Sequence, residues 1–177
     1  LKKNFLNPEI CKKCGGKCCK TMPGSAYPED FKEPLFESLL SAFKSGNWAI
    51  DWWDGDPRKG KEDLDVAYYI RPRTKDNDAL YDPSWGGECI FLNNDGCRLK
   101  PEERPQSCRL LEPKENGGCI HHGNTKRGAA IAWLPYTDII WQAAKKTTNR
   151  AKFFSNTKRK ADRIYEIKEM LGCDINA

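Results

Sequence analysis

The stretch Cys11-Lys12-Lys13-Cys14-Gly15-Gly16-Lys17-Cys18-Cys19 decides how the rest of the chain is read. Its four thiols are not core filling, because cysteines packed as small hydrophobes are scattered rather than interleaved with Lys and Gly. Cys11 and Cys14 stand at the separation where a tight turn aims two sulfurs at one ion. Gly15 and Gly16 leave the backbone free for the left-handed angles such a turn wants. Lys12, Lys13 and Lys17 are placed where they are expected to lower thiol pKa values and favour the thiolate that binds metal. The competing reading is a disulfide framework, which belongs to oxidising compartments and predicts no metal.

Working outward, 177 residues make a single domain able to bury a sizeable core. The nine cysteines lie at 11, 14, 18, 19, 89, 97, 108, 119 and 173, in two groups about seventy residues apart with Cys173 alone. An odd count argues against full pairing into disulfides. The residues before Cys11 lack the apolar core of a secretion signal and no run approaches a membrane span, so a reducing, cytoplasmic setting away from the membrane is the expectation. The net charge is +5. A divalent zinc, or a four-iron core, held by four thiolates would bring it to about +3. The positive charge is concentrated at one end: Lys145, Lys146, Arg150, Lys152, Lys158, Arg159, Lys160 and Arg163 stand against Asp162 alone.

Between the cysteine groups, Leu35, Phe36, Leu39, Leu40 and Phe43 recur at helical spacing after Pro34 and stop at Gly46-Asn47. Trp48, Ile50 and Trp52 alternate in a strand ended by Asp54-Gly55-Asp56, where turn chemistry competes with a hard-cation site for the two carboxylates. Val66, Tyr68 and Ile70 alternate in a second strand running into Arg71-Pro72-Arg73. Cys89 and Cys97 flank Asn93-Asn94-Asp95-Gly96, which predicts a type I turn with a glycine bulge, Gly96 at positive φ and Asn93 opposite Cys97. In that register an unbroken strand holds Cys89 about 13 Å from Cys97 along the ladder, too far to share one zinc. Either the strand breaks before Cys89 or the two thiols serve different sites.

Pro101 and Pro105 exclude regular strand before Cys108, and Arg104 and Arg109 bracket that thiol. They are candidate cofactor-binding residues, supplying hydrogen bonds or offsetting thiolate charge; the alternative is surface arginines in a loop. Cys119 is followed by His121 and His122, read either as further ligands or as a hydrogen-bonded pair in a turn. Ala129 to Pro135 is short and apolar. From Thr137, Ile140, Ala144, Thr147, Ala151 and Phe154 form a helical stripe, and a second helix carries Ile164, Ile167 and Leu171. The basic segment 145–163 straddles the two, either as a solvated face or as a surface for an acidic protein or nucleic acid. Cys173 is a bystander.

The combined pattern is C-x2-C-x3-C-C, then C-I-F-L-N-N-D-G-C, then R-P-Q-S-C-R. It resembles the zinc- or iron-chelating cysteine-cluster family of the YkgJ type, on Cys11, Cys14, Cys18, Cys19, Cys89, Phe91, Leu92, Gly96, Cys97, Arg104, Pro105, Cys108 and Arg109. The likeness covers roughly the first 110 residues. It implies metal binding, with iron-sulfur or zinc open. The flagellin lysine methylases look like longer relatives that place a four-iron cluster in such a module, but no glycine-rich site for a methyl donor stands in this chain.

The donor set of Cys11, Cys14, Cys18, Cys19, Cys89, Cys97, Cys108 and Cys119 suits soft-ligand sites, zinc or iron-sulfur alike. Zinc typically pairs two C-x2-C knuckles, and the second group has none. A [4Fe-4S] cluster accepts scattered ligands on its larger cube. Adjacent Cys18 and Cys19 are expected to point to different sides. The leading expectation is therefore an iron-sulfur protein, redox or catalytic, whose enzyme class would be an oxidoreductase or a cluster-dependent relative of the methyl-transfer enzymes. A structural zinc module for protein or nucleic-acid interaction is the alternative. The expected fold is α+β: one small irregular antiparallel sheet, joining both strands to the cysteine hairpin, with flanking helices around a cysteine-ligated metal site. Residues 1–113 form the cysteine module and 114–177 a helical extension packed on it.

Overall fold

The structure is a computed structural model and describes residues 4–58, 64–82, 86–116, 118–123 and 125–147. In chain order it runs α1 (Pro8–Cys14), α2 (Lys17–Thr21), α3 (Leu35–Lys44), β1 (Trp48–Asp54), β2 (Val66–Pro72), β3 (Leu92–Asn93), β4 (Gly96–Cys97), α4 (Gln106–Arg109), β5 (Leu111–Pro113), β6 (Cys119–His121), α5 (Thr125–Trp133) and α6 (Thr137–Thr147). The class is α+β, as expected. The single sheet is not: among the described residues the strands form three separate antiparallel pairs, β1–β2, β3–β4 and β5–β6. The hairpin strands β3 and β4 are two residues long each, too short to reach the larger ladder.

β1 and β2 pair with Ile50 opposite Ile70 and Trp52 opposite Tyr68. Aromatic and branched side chains favour this pleated surface. Strict alternation of burial fails, for Ala49, Ile50, Asp51 and Trp52 are buried in succession, and so is β2 from Ala67 onward. The ladder is covered on both edges and not only on a face. Ala26 bridges Ile70 on one side and Tyr81 bridges Ile50 on the other. α5 lies along the ladder, and Trp133 at its end is fully buried and donates its indole N–H to the Ala26 carbonyl at 2.8 Å.

α3 forms where the apolar spacing predicts it and buries Leu35, Leu39 and Phe43. It packs on α6, whose Ile140, Ala143 and Ala144 are buried, and α6 sets Trp141 edge-on to Tyr68 at 4.8 Å. Trp52 stacks on Tyr81 at 4.7 Å. Trp48, edge-on to Phe91 at 5.6 Å, joins this core to a smaller one of Cys89, Phe91 and Leu92.

The core also encloses charge. Asp51 accepts from Arg71 Nε at 2.8 Å and from the Tyr69 hydroxyl at 3.0 Å, and Arg71 meets Asp82 at 3.0 Å. Unpaired, any of these charges would cost several kcal/mol to bury. Together they bolt β1 and β2 to the segment leading to Cys89. The basic segment 145–163 lies outside the described residues beyond Thr147, as do the second C-terminal helix and Cys173.

Candidate metal centre

The C-x2-C pair sits on a helix and not in a tight turn. Asn7 caps α1, its side-chain oxygen accepting from the Glu9 and Ile10 N–H groups at 3.1 and 3.3 Å, and Pro8 suits the first position. Gly15 ends it at φ 68. Cys11 and Cys14, three apart on a helix, therefore share one face. Asn7-Pro8-Glu9 and Gly15 are the start and stop signals that reveal α1 in the sequence.

Gly16, also at φ 68, lets the chain turn back into α2. A Cβ on Gly16 would lie 2.8 Å from Leu92 Cδ1, so the glycine seats α2 directly on the hairpin. The sulfurs of Cys18 and Cys19 lie 3.9 Å apart in a hydrogen bond, which corrects the expectation that they point to different sides. The Cys19 carbonyl accepts from the Cys89 N–H at 2.7 Å, and that contact ties the two cysteine groups together.

The hairpin pairs Asn93 with Gly96 and Leu92 with Cys97, one residue off the expected register, with Asn94-Asp95 as its loop. Gly96 takes φ 106, as its place in the turn demands. The strand does break before Cys89. The Leu92 N–H donates back to the Cys89 carbonyl at 2.9 Å, and Cys89 bridges Thr74 instead of continuing the ladder.

Cys108 rides on α4, where the Ser107 N–H donates to the Ser25 carbonyl at 3.2 Å. Cys119 arrives through β5–β6, with Pro113 opposite Cys119. Three-residue strands, one ending in Pro, carry almost no periodicity; Asn116-Gly117-Gly118 between them is the turn signal that could have found this pair.

Seven of the expected ligands, Cys11, Cys14, Cys18, Cys19, Cys97, Cys108 and Cys119, line one cavity of about 200 Å³, together with Arg104 and apolar Leu6, Leu92 and Leu111. Cys89 is buried just behind, packed with Phe91 and Leu92. Among the described residues no three His, Cys, Asp or Glu side chains stand grouped closely enough to hold a single metal ion.

Arg109 stands apart from the cavity wall. Its guanidinium is buried and reaches Asp30 Oδ1 at 2.6 Å and the Glu102 carbonyl at 3.3 Å. On a one-turn helix consecutive residues diverge by about 100°, so with Cys108 facing the cavity Arg109 faces the Pro28–Asp30 turn. Asp30, which also accepts the Tyr27 and Gln106 N–H groups at 2.9 and 2.7 Å, is a supporting residue that sequence reading missed; its partners Gln106 and Arg109 lie 76 and 79 residues away. His122 pairs with Glu112 at 2.6 Å and stacks on Phe5 at 3.8 Å. Neither histidine lines the cavity.

The thiols feel one another. Burial pushes Cys89 up to about 11 and raises Cys108, Cys11 and Cys119, each further opposed by neighbouring thiolates. The hydrogen bond from Cys19 holds Cys18 down to about 6, and the same bond raises Cys19. The Arg104 guanidinium favours the thiolate at Cys11, Cys18 and Cys108. No protein-family model, curated protein or solved structure matches the chain.

Proposed function

We propose that the chain is an iron-sulfur protein, redox or catalytic in role, in which thiolates from both cysteine groups hold one [4Fe-4S] cluster in the thiol-lined cavity. The observation that carries this reading is the convergence of seven thiols, from segments as far apart in sequence as α1 and β6, on a single space of about 200 Å³. The donor chemistry fits the group: the ligands are soft sulfur, and Arg104 offsets their negative charge. A zinc ion would instead draw four sulfurs to within about 3.8 Å of each other, a far smaller volume than these donors surround. When bound, such a cluster supplies one-electron redox chemistry or a Lewis-acidic iron. The chain's own contribution is to exclude water with Leu6, Leu92 and Leu111, to keep Cys18 ionised through Cys19, and to fix Cys108 on α4.

The test is elemental. Protein purified without oxygen should be brown, with about four irons and four sulfides per chain, and Cys108→Ser should lower both. Colourless protein carrying zinc, with no iron or sulfide, would overturn the reading and leave the structural zinc module.

A further inference from the structure

Beside the thiol cavity lies a second, open hollow of about 420 Å³ walled by Lys13, Lys17 and Lys114, with Glu115 the one acid among its described walls. Cys14 and Lys114 belong to the walls of both spaces. Lys12 stands on the cavity side, and all four of these lysines are exposed, as is Lys20 beyond them. Among the described residues none of the five makes an ion pair. From Pro8 to Thr21 the one acid is Glu9. This positive rim is local to the cavity mouth, and separate from the basic segment at the C-terminal end.

We infer that this lysine collar is a docking surface for a small acidic electron-carrier protein, seated over Cys14; the inference rests on the iron-sulfur reading above. Exposed lysines without partners pay little to be desolvated in pairs with carboxylates, and a rim of net positive charge, five lysines against Glu9, Asp95 and Glu115, steers an acidic partner and disfavours a basic one. Position matters as much as charge. A partner in the hollow touches Cys14, a wall of the cavity, so the collar brings its redox group against the wall of the thiol-bound centre. A nucleic acid is less well served, because among the described residues no exposed aromatic ring interleaves these lysines as a stacking platform requires.

The test uses the whole protein, purified anaerobically, with iron and sulfide measured on the same sample. Binding to an acidic flavodoxin and to an acidic two-iron ferredoxin is followed by titration calorimetry at low and high salt, with basic cytochrome c and a random single-stranded RNA as comparisons. Binding to the acidic carriers is expected to weaken at least about tenfold between 20 and 300 mM salt, and about tenfold or more in the Lys13→Glu/Lys17→Glu variant. That variant should keep its iron and its circular dichroism, because Arg104, and not these lysines, is the cation that favours the thiolates of the cavity. Zero-length carbodiimide cross-links should fall on the same lysines. Iron-loaded protein that ignores both carriers at low salt, or binds them equally well in the variant, overturns the docking surface alone; so does tighter, collar-dependent binding to the RNA. Absence of iron and sulfide overturns the cluster and with it the identity of the partner.

Discussion

Gly24→Ala adds one carbon where Cys108 already stands. An ideal Cβ at residue 24 would lie 2.3 Å from Cys108 Sγ and 2.8 Å from Ser107 Oγ. Comfortable contact starts near ~3.5 Å, so the sulfur and the new methyl must part by roughly 1.2 Å. Neither side yields easily. The Cys108 N–H is bonded to the Pro105 carbonyl at 2.8 Å, the Ser107 N–H to the Ser25 carbonyl at 3.2 Å, and Arg109 is pinned to Asp30 at 2.6 Å. If the contact is kept, overpacking costs about 1–3 kcal/mol. If α4 lifts instead, the Ser107–Ser25 bond is lost at about 1 kcal/mol and the Cys108 sulfur leaves the cavity wall by about 1 Å, enough to spoil a ligand set. Urea unfolding followed by tryptophan fluorescence reads the first cost, and iron per chain reads the second. The control is Gly118→Ala, also in the cavity wall, whose Cβ would meet nothing nearer than Asn116 Oδ1 at 3.7 Å and should change stability by less than about 0.5 kcal/mol. If Gly24→Ala matched Gly118→Ala in both stability and iron content, the close seating of Cys108 on Gly24 would be refuted.

Asp30→Ala should destabilise the protein by about 3–5 kcal/mol, because it leaves the buried Arg109 guanidinium uncompensated, while Asp30→Asn, which keeps an acceptor, should cost less; equal unfolding midpoints for wild type and Asp30→Ala would discard this role. The metal-free protein should lose stability as pH rises above the ordinary thiol range, since Cys11, Cys89, Cys108 and Cys119 are held protonated by burial and the unfolded chain releases those protons first. The rise of Cys89 from 9.0 to about 11 alone corresponds to about 3 kcal/mol. Cys18 works with the opposite sign: its thiolate stabilises the fold above the ordinary thiol value, and that contribution is lost as pH falls through about 6. Urea midpoints of chelated protein should therefore peak near pH 8 and fall on both sides, and a flat profile from pH 6 to 11 would contradict this account.

What the sequence disclosed follows from how local each cause is. α3 was legible because Leu35, Leu39 and Phe43 repeat along one face, and β1 and β2 because their aromatic and branched residues cluster between turn residues. Gly96 was legible because its turn admits little else at φ 106. The hairpin register slipped by one residue, since Asn93-Asn94-Asp95-Gly96 admits both a two-residue and a three-residue loop, and the pairing adopted sets Leu92 opposite Cys97 and close against Gly16. Alternation with Ile50 and Trp52 would leave Asp51 on an outward face of β1; its burial depends on Arg71 and Tyr69, 20 and 18 residues on, which no window can see. Seven of the eight expected ligands meet at one cavity because thiol spacing is itself a local signal. Arg109 turned elsewhere because its partner, Asp30, lies 79 residues back.

The two halves of the molecule are held by different forces. The body has a continuous core of stacked rings around β1 and β2 and a buried Asp51–Arg71–Asp82 network. α1 and α2, which carry four of the thiols, bury no residue at all. Helices of seven and five residues fall well short of the ~12–15 at which an isolated helix becomes even marginal. Their main-chain ties to the rest include Phe5 to Arg109 at 2.8 Å, Gly87 to Thr21 at 2.9 Å and Cys89 to Cys19 at 2.7 Å. Bonds of that kind contribute about 1 kcal/mol each, against a backbone ordering cost of about 1–2 kcal/mol per residue. A cofactor that grips thiolates on α1, β4 and α4 together would close long loops at once, so its binding energy is also the folding energy of this half. Cys89 is the thiol set by the body itself, buried and bridged to Thr74, with the Arg71 charge favouring its thiolate against the burial that raises it. On this reasoning the body presents a prepared wall, and the lysine-bearing helices α1 and α2 are the part of the fold whose stability a thiol-bound cofactor would raise most.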